Sequence, residues 1–290
     1  MLLSTIVYGF VNSTILALVA LGFNLTFGIS GIANFAYGAL YIFSGFATWS
    51  LFNSLGLPYI LAVIFSVLVT ALLGALMYRF ILLRIRGMVL SEVIASFGLG
   101  LAILELFKYL GFIGFEYTLP EFWDLSIDIG QVTIDMQRVF IVIIGVGLTG
   151  FLWFFTHHTR TGLRFRGIAQ DERTALSLGI NSDRVAALSV SFGAAYAAIA
   201  AIVILPLGTI TVEHGYDVLI NALAVCIVGG LGSTGGVVMA SFLIGYAETF
   251  TATYLGSHWV MLVPLAAILG ILAVKPSGIY GKQKELEERI

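Results

Sequence analysis

The chain has 290 residues, of which 59% are hydrophobic and only 10% are charged. A soluble domain carries about 25% charged residues, so this composition excludes a water-soluble fold and predicts an integral membrane protein. The formal net charge of −2 gives no basic surface of the kind that binds nucleic acid, and the single cysteine, Cys226, excludes an internal disulfide and a cysteine-built metal site.

Apolar windows recur along the whole chain. A spanning helix needs about 20 mostly apolar residues, which leaves room for about eight such helices. The windows do not alternate polar and apolar residues as the strands of a membrane barrel do. The sequence therefore predicts an all-α, polytopic bundle of about eight transmembrane helices in a single transmembrane domain, residues 1–290. The windows fall at 5–27, 32–52, 58–78, 90–112, 138–155, 186–206, 217–231, 236–254 and 258–274.

Two of these windows need comment. We expect 5–27 to be a retained first span rather than a signal peptide, because no short apolar core with a cleavage site opens the chain. The window 217–231 has 15 residues and is too short for an ordinary crossing of a core about 30 Å thick. Its length predicts a broken or short segment near 217–236. A complete crossing is favoured by the need for an odd number of crossings after residues 207–216 if the basic tail is to lie on the cytoplasmic side.

Positive charge is unevenly distributed between the polar segments, and positive residues favour the cytoplasmic side of a membrane. The stretch 79–86, the long loop at about 157–185 and the tail 275–290 are basic. The loop at about 113–137 carries acidic residues instead. We therefore expect the three basic segments to be cytoplasmic and the acidic loop to be external, which places the N-terminus outside and the C-terminus inside.

Two glycine-rich breaks interrupt the apolar pattern, at 27–38 and at 229–236. Paired breaks in a transporter can mark a solute path, because unwound backbone is tolerated at membrane depth only where it lines a cavity or is buried in protein. The alternative is that each break is a tight turn or a close packing surface between helices. The candidate path residues are Asn34, Phe35, Tyr37 and Gly38 in the first break and Gly229, Gly230 and Gly232 in the second.

Motifs for nucleotide or enzymatic chemistry give no usable site. Residues 230–235 match the letters of a dinucleotide-binding fingerprint, but membrane-length windows flank them where a soluble βαβ unit is required. The chain has no P-loop motif, no zinc-protease histidine pair and no serine nucleophile elbow. We expect no catalytic residue, no metal and no cofactor in this chain.

A few charged residues fall within the apolar windows, where an unpaired charge is costly. Glu105 and Lys108 lie three residues apart and can pair on one helix face. Glu92 lies near the inner end of the same window and Glu248 in the eighth. In one interpretation, Glu105 or Glu248 binds the substrate or a proton. In the other, these residues are paired or lie near the membrane interface.

The stretch 156–186 is the long polar interruption of the chain, and its pattern predicts a short helix. Asp171 is suited to cap its start and Gly179 to the left-handed residue after its end. The helical spacing of Ile168, Ala175, Leu176 and Gly179 predicts one apolar face, and Ser182 is placed to cap the next helix. Small residues on that face are better suited to docking against a protein than to lying on a lipid surface.

Five sequence runs in order carry a resemblance. The chain is similar to the LivH-type permease subunit of high-affinity branched-chain amino acid ABC importers. The runs are LVALGFN at 18–24 leading to NFAYG at 34–38, TRTG at 159–162 with Gly167 and the pair 179–180, NAL at 221–223 with 229–233, and KPSGIYG at 275–281.

The resemblance implies a prokaryotic plasma (inner) membrane protein that pairs with a second permease, two ATP-binding subunits and an external binding protein. It also implies that the helix near 171–179 is a coupling helix for the ATPase. Relatives of this type also carry urea, short amides or other amino acids, and a self-sufficient channel or ion-coupled transporter is the competing hypothesis. The candidate coupling residues are Arg166, Ile168, Ala169, Asp171, Arg173, Ala175, Leu176, Gly179 and Ile180.

Overall fold

A computed structural model describes residues 2–32, 34–112, 117–123, 125–129 and 132–281. The described part is built mainly of α-helices, which confirms the predicted all-α membrane fold. The helices are α1 (Leu2–Ser30), α2 (Tyr37–Trp49), α3 (Tyr59–Phe80), α4 (Val89–Tyr109), α5 (Met136–His158), α6 (Arg160–Gln170), α7 (Glu172–Ser177), α8 (Ser182–Ile204), α9 (His214–Gly229), α10 (Thr234–Tyr254) and α11 (Leu262–Val274).

A short antiparallel hairpin lies within the predicted external loop. Strand β1 (Ser126–Ile129) pairs with β2 (Val132–Asp135), and Ser126 lies opposite Asp135. The sequence analysis did not predict these strands. Several residues used in the charge argument, among them Glu116, Asp124, Lys282, Lys284 and Arg289, lie outside the described residues.

Within the residues that the structure describes, five helical segments are long and apolar enough to cross a membrane. Helices α9 and α10 pass the same test only as a pair, and they are bent by 117° at the break between them. This bend lies where the sequence predicts a broken segment, so that part of the prediction is confirmed. Helices α2 and α11 have 13 residues each, so a total of about eight spans stays a prediction.

The bundle has two ends, which can be told apart by the segments that contact each other there. At the basic end, Arg86 bonds to Glu172 and the tail at Gly278 packs on Gly230. At the hairpin end, the backbone N–H of Ile210 donates to the carbonyl of Tyr117, 2.8 Å away. The basic end holds 81–88, 159–182, 230–233 and 275–281, and the hairpin end holds 50–58, 117–123, 125–129, 132–135 and 205–213.

Helix α1 lies at the centre of the bundle. Its middle residues Leu18, Leu21 and Phe23 are fully buried. It runs antiparallel to α10, because Ser13 lies against Gly245 while Gly28, at its other end, lies against Gly232. Small residues at these crossings let the helix backbones approach closely, which is how helices associate when the surrounding lipid is as apolar as the side chains.

Candidate coupling surface and solute path

The long polar stretch forms two helices, α6 and α7, with Asp171 between them. One carboxylate oxygen of Asp171 accepts hydrogen bonds from the N–H groups of Arg173 (2.9 Å) and Thr174 (3.2 Å). The hydroxyl of Thr174 also bonds to this carboxylate and is the main reason that the pKa of Asp171 is lowered. Gly179 has a φ of +79° just after α7. The predicted N-cap and left-handed glycine are therefore confirmed.

The prediction of one continuous apolar face is wrong. Asp171 adopts an extended conformation, so Ile168 on α6 and Ala175 on α7 belong to different helices. Both side chains are buried in the protein's own core, at 5% and 3% exposure. They cannot contact a partner in this arrangement. The expected cap at Ser182 is also wrong, because the side chain of Asn181 accepts the bond from Arg184 N–H instead.

The outward surface of α6 and α7 is an apolar patch with a polar rim. Leu176 and Leu178 are 51% and 77% exposed, and Gly179 is exposed between them and the next helix. Leu178 was missed by the sequence analysis, because it follows the last turn of α7 and helical spacing does not reach it. The rim residues Arg166, Asp171 and Arg173 are exposed, whereas Ala169 and Ile180 are half-buried.

The inner side of this segment is anchored to the bundle. Phe165 is fully buried and its ring contacts those of Phe155 on α5 and Phe192 on α8. Arg86, from the turn between α3 and α4, forms ion pairs of 2.6 Å with both Glu172 and Asp183. The exposed patch is thus anchored to the bundle by contacts with α5, α8 and the turn between α3 and α4.

The second break is a junction of closely packed backbones. A Cβ added at Gly229 would lie 2.5 Å from the carbonyl carbon of Gly236, and one at Gly230 would lie 2.3 Å from the backbone nitrogen of Gly281. Gly230 and Gly232 have φ values of +96° and +83°. The contacts favour the close-packing alternative for Gly229 and Gly230, and a path role for the three glycines stays a prediction.

The second break is also tied to α1. The N–H of Gly232 donates to the side-chain oxygen of Asn24, 2.8 Å away, and a Cβ at Gly28 would lie 2.6 Å from Gly232 Cα. Asn24 is 3% exposed. The last turns of α1, at the basic end of the bundle, and the bend between α9 and α10 therefore pack closely together.

The first break is organised by side chains as well as by backbone. The side-chain oxygen of Asn34 accepts from Ala36 N–H, and Phe35 N–H donates to the hydroxyl of Ser96, both at 3.1 Å. The hydroxyl of Tyr37 donates to the carbonyl of Val19 at 2.8 Å. Since Val19 lies 11 residues before the end of α1, roughly 16 Å along the helix, α2 begins inside the bundle rather than at its end.

A small cavity adjoins the first break. Its volume is about 10 Å³, the space that a single water-sized sphere needs. Gly38 is in contact with Gly215 beside it, and a Cβ there would meet the carbonyl oxygen of Gly215 at 1.8 Å. Sequence reasoning did not find Tyr216, which lies on α9 far from the break along the chain. The lining residues are Phe35, Ala39, Phe97, Gly100, Leu101, Leu104, Gly215, Tyr216 and Leu219.

The four charged residues singled out within the apolar windows have partners. Lys108 Nζ lies 2.9 Å from Glu105 Oε1, as the sequence predicts. Glu248 is 6% exposed and accepts a 2.9 Å hydrogen bond from the side-chain amide of Asn12. Glu92 accepts from Gly87 N–H at 2.7 Å. The described residues contain no cluster of three potential metal ligands.

Comparison with known proteins assigns the chain to a family of membrane proteins. The family model for the permease component of branched-chain amino acid transport systems matches residues 5–272. The chain belongs to this family, and its predicted likeness to LivH-type permeases is confirmed.

Individual relatives cover nearly the whole chain. The permease protein BraD of the high-affinity branched-chain amino acid transport system of Pseudomonas aeruginosa is 28% identical, over 97% of this chain and 96% of that protein. LivH of Escherichia coli K12 is 27% identical, over 92% and 91%. A solved structure, PsaBC from Streptococcus pneumoniae in complex with Fab, matches 94% of this chain and 92% of that chain with a TM-score of 0.53 and 13% identity. The last likeness shows a shared fold.

Proposed function

We propose that this chain is the transmembrane permease subunit of an ATP-driven importer for branched-chain amino acids or related small zwitterionic solutes. It works with two ATP-binding subunits, a second permease subunit and an external binding protein. The observation that carries the proposal is the apolar patch on α7, formed by Leu176 and Leu178 and rimmed by Arg166, Asp171 and Arg173. An exposed apolar patch with a polar rim is typical of a protein interaction site.

The patch is suited to pass on a movement of the ATPase subunits. Helix α6 follows α5 directly at Thr159, and α7 is joined to α8 by the short stretch 178–181. A shift of the patch therefore moves the ends of two spans. Closure of the ATPase subunits around ATP would shift the patch, and the tilted spans would open the path alternately to each side.

The solute path is proposed to run along the first break. Phe35 is half-buried there and adjoins a small cavity, so its ring is not fully enclosed by neighbouring residues. The positive end of the α2 dipole lies within the bundle at the same depth, where it favours the carboxylate of a zwitterion. The backbone at Asn34 can supply polar groups without a charged side chain.

The basic end is proposed to face the cytoplasm. Arg79 lies in the last turn of α3, Arg84 and Arg86 follow this helix, and five further arginines lie in the segment from Arg160 to Arg184. Positive residues in short loops set membrane orientation. This orientation places the patch on the side where the ATPase subunits and ATP are found, and the hairpin end on the side of the binding protein.

The docking role is tested by Leu176→Asp in the chain co-expressed with its ATP-binding subunits. A charge at the centre of the patch cannot be desolvated cheaply, so we expect at least a tenfold loss of ATPase co-purification and of leucine uptake into proteoliposomes. The matched control is Leu55→Asp, which changes a leucine at the hairpin end that is 69% exposed and should keep both. Undiminished ATPase binding by Leu176→Asp would contradict the docking role.

A self-sufficient channel or ion-coupled transporter is the second candidate, and the buried carboxyl of Glu248 is the observation that favours it. Its hydrogen bond to Asn12 already gives Glu248 a structural partner, which weakens that case. Solute flux through proteoliposomes that contain this chain alone would support the second candidate. Urea and acetamide, offered in the same assay beside leucine, test the alternative substrates.

A further inference from the structure

The turn between α3 and α4, residues 81–88, bonds to the α7 and α8 helices through the side chain of Arg86. Arg86 Nη2 lies 2.6 Å from Glu172 Oε1, and Arg86 Nη1 lies 2.6 Å from Asp183 Oδ1. Glu172 is the first residue of α7 and Asp183 lies in the first turn of α8. The hydroxyl of Ser182, the first residue of α8, accepts a hydrogen bond from the same guanidinium. Arg86 therefore joins the starts of both helices.

Arg86 is the enclosed member of this network. Its side chain is 19% exposed, whereas those of Glu172 and Asp183 are 48% and 56% exposed. Burial lowers the pKa of Arg86, but Tyr78 and the two carboxylates outweigh this and hold the pKa above its ordinary value. The planar fork of a guanidinium can bond two carboxylates in fixed directions, which a lysine ammonium cannot reproduce. The contact is thus a rigid one.

The same turn reaches the first break by two routes. Leu82 is fully buried in a small cluster with Ile32, which lies just after α1, and with Tyr78, Ala186 and Val190. The cluster places the turn directly against the beginning of the break.

The second route passes through the start of α4. Gly87 N–H donates to Glu92 Oε1 at 2.7 Å, which fixes the turn to the first part of that helix. Ser96, about one turn further on, accepts the hydrogen bond from Phe35 N–H at 3.1 Å. The turn 81–88 is therefore linked to α7 through Arg86, to Ile32 through Leu82, and to Phe35 only indirectly, through α4.

We propose that Arg86 is a positioning residue that transmits the movement of α7 to the first break, so that ATP hydrolysis is coupled to opening of the solute path. This inference rests on the proposed function. Movement of α7 reaches α8 directly along the chain, and Arg86 adds a second connection, across the bundle, towards the first break. Without this connection, the ATPase subunits dock and hydrolyse ATP while the first break no longer follows.

The test measures docking, hydrolysis and transport in one preparation. The chain, its partner permease and its ATP-binding subunits are reconstituted in proteoliposomes with the leucine-loaded binding protein. We expect Arg86→Gln to retain ATPase co-purification and to hydrolyse ATP within twofold of the wild-type rate, while leucine uptake falls at least tenfold. The leucine transported per ATP therefore falls at least fivefold, a ratio that a merely structural role does not move.

The matched control is Arg84→Gln. Arg84 is exposed and lies two residues earlier in the same turn, and it has no ion-pair partner among the residues that the structure describes. We expect its leucine-to-ATP ratio to equal that of the wild type. Arg86→Lys should recover only part of the ratio, because one ammonium cannot hold both carboxylates in the same geometry.

A second variant keeps the test independent of the fold around Arg86. The double substitution Glu172→Gln with Asp183→Asn removes both charges from exposed positions and leaves Arg86 in place. It should reproduce the lowered ratio. Leucine uptake within twofold of wild type in both Arg86→Gln and the double variant would overturn the inference, and so would loss of ATPase co-purification in parallel with uptake.

Failure of the proposed function gives a different result. In that case the wild-type chain itself binds no ATPase subunit, or it moves leucine without ATP. The wild-type sample therefore tests the proposed function before any variant is compared.

Discussion

The two glycine-rich breaks both interrupt the apolar pattern, and both contain closely packed backbone. At the second break, Gly229 and Gly230 meet other backbones at distances that no side chain can enter, and Gly38 of the first break meets Gly215 in the same way. The first break differs because the hydrogen bonds of Asn34 and Phe35 hold the chain beside a half-buried aromatic ring and a cavity. The comparison teaches that glycine content marks irregular backbone, whereas the neighbouring elements decide which side chains surround it, and for this reason the path is proposed along the first break.

The largest effect on stability is expected at the junction, from Gly230→Ala. A Cβ there meets Gly281 at 2.3 Å, and the residue has a φ of +96°. Overpacking and left-handed strain together should cost roughly 2–4 kcal/mol. The midpoint of thermal unfolding in detergent micelles measures this loss.

The control for that substitution is Gly235→Ala, near the end of the same break. Nothing lies within 4 Å of its added Cβ, and its position in α10 makes alanine neutral or slightly stabilising. Equal unfolding midpoints for the two variants would show that the second break is not a packed junction.

A smaller loss of stability is expected from Asn24→Ala, which removes the acceptor of the Gly232 N–H bond. Losing a part-buried hydrogen bond should cost about 1–2 kcal/mol. The exposed Asn53 at the hairpin end supplies the control, Asn53→Ala, whose unfolding midpoint should stay near that of the wild type. A stability equal to wild type for Asn24→Ala would mean that α1 does not hold the second break.

The smallest effect on stability is expected from Phe35→Leu at the first break. The side chain is half-buried beside a cavity, and a swap between apolar side chains of similar size should cost about 1 kcal/mol or less. Leucine uptake should nevertheless change at least fivefold, because the wall of the proposed path is altered. Phe154→Leu, on an exposed face of α5, should change neither quantity. Leucine uptake equal to that of the wild type in Phe35→Leu would contradict the proposal that the path runs along the first break.

Local signals in the sequence predicted the features that depend on near neighbours in the chain. Asp171 caps α7 and Gly179 ends it, because a cap needs only a side chain and the N–H groups two or three residues later. Glu105 and Lys108 pair because they lie on adjacent turns of one helix. The bend near 230–233 follows from the shortness of the apolar window before it.

Features that join distant parts of the chain were not predicted. The apolar face expected across Ile168 and Ala175 failed because an extended residue separates two helices, and both side chains turned to the protein's own core. The role of Arg86 could not be inferred from its position, since Glu172 and Asp183 follow it by 86 and 97 residues. The same holds for Tyr216 beside the first break.

The sequence by itself determined the membrane class, the helical fold, the family and the capped polar helix, because composition, hydrophobic length and short motifs act over a few turns. Only the tertiary structure decided which glycine break is a packed junction, which residues of the polar segment face outward, and which side chain connects α7 to the first break. Those outcomes depend on which helices become neighbours in the bundle, and the position of a residue in the chain does not specify its neighbours in space.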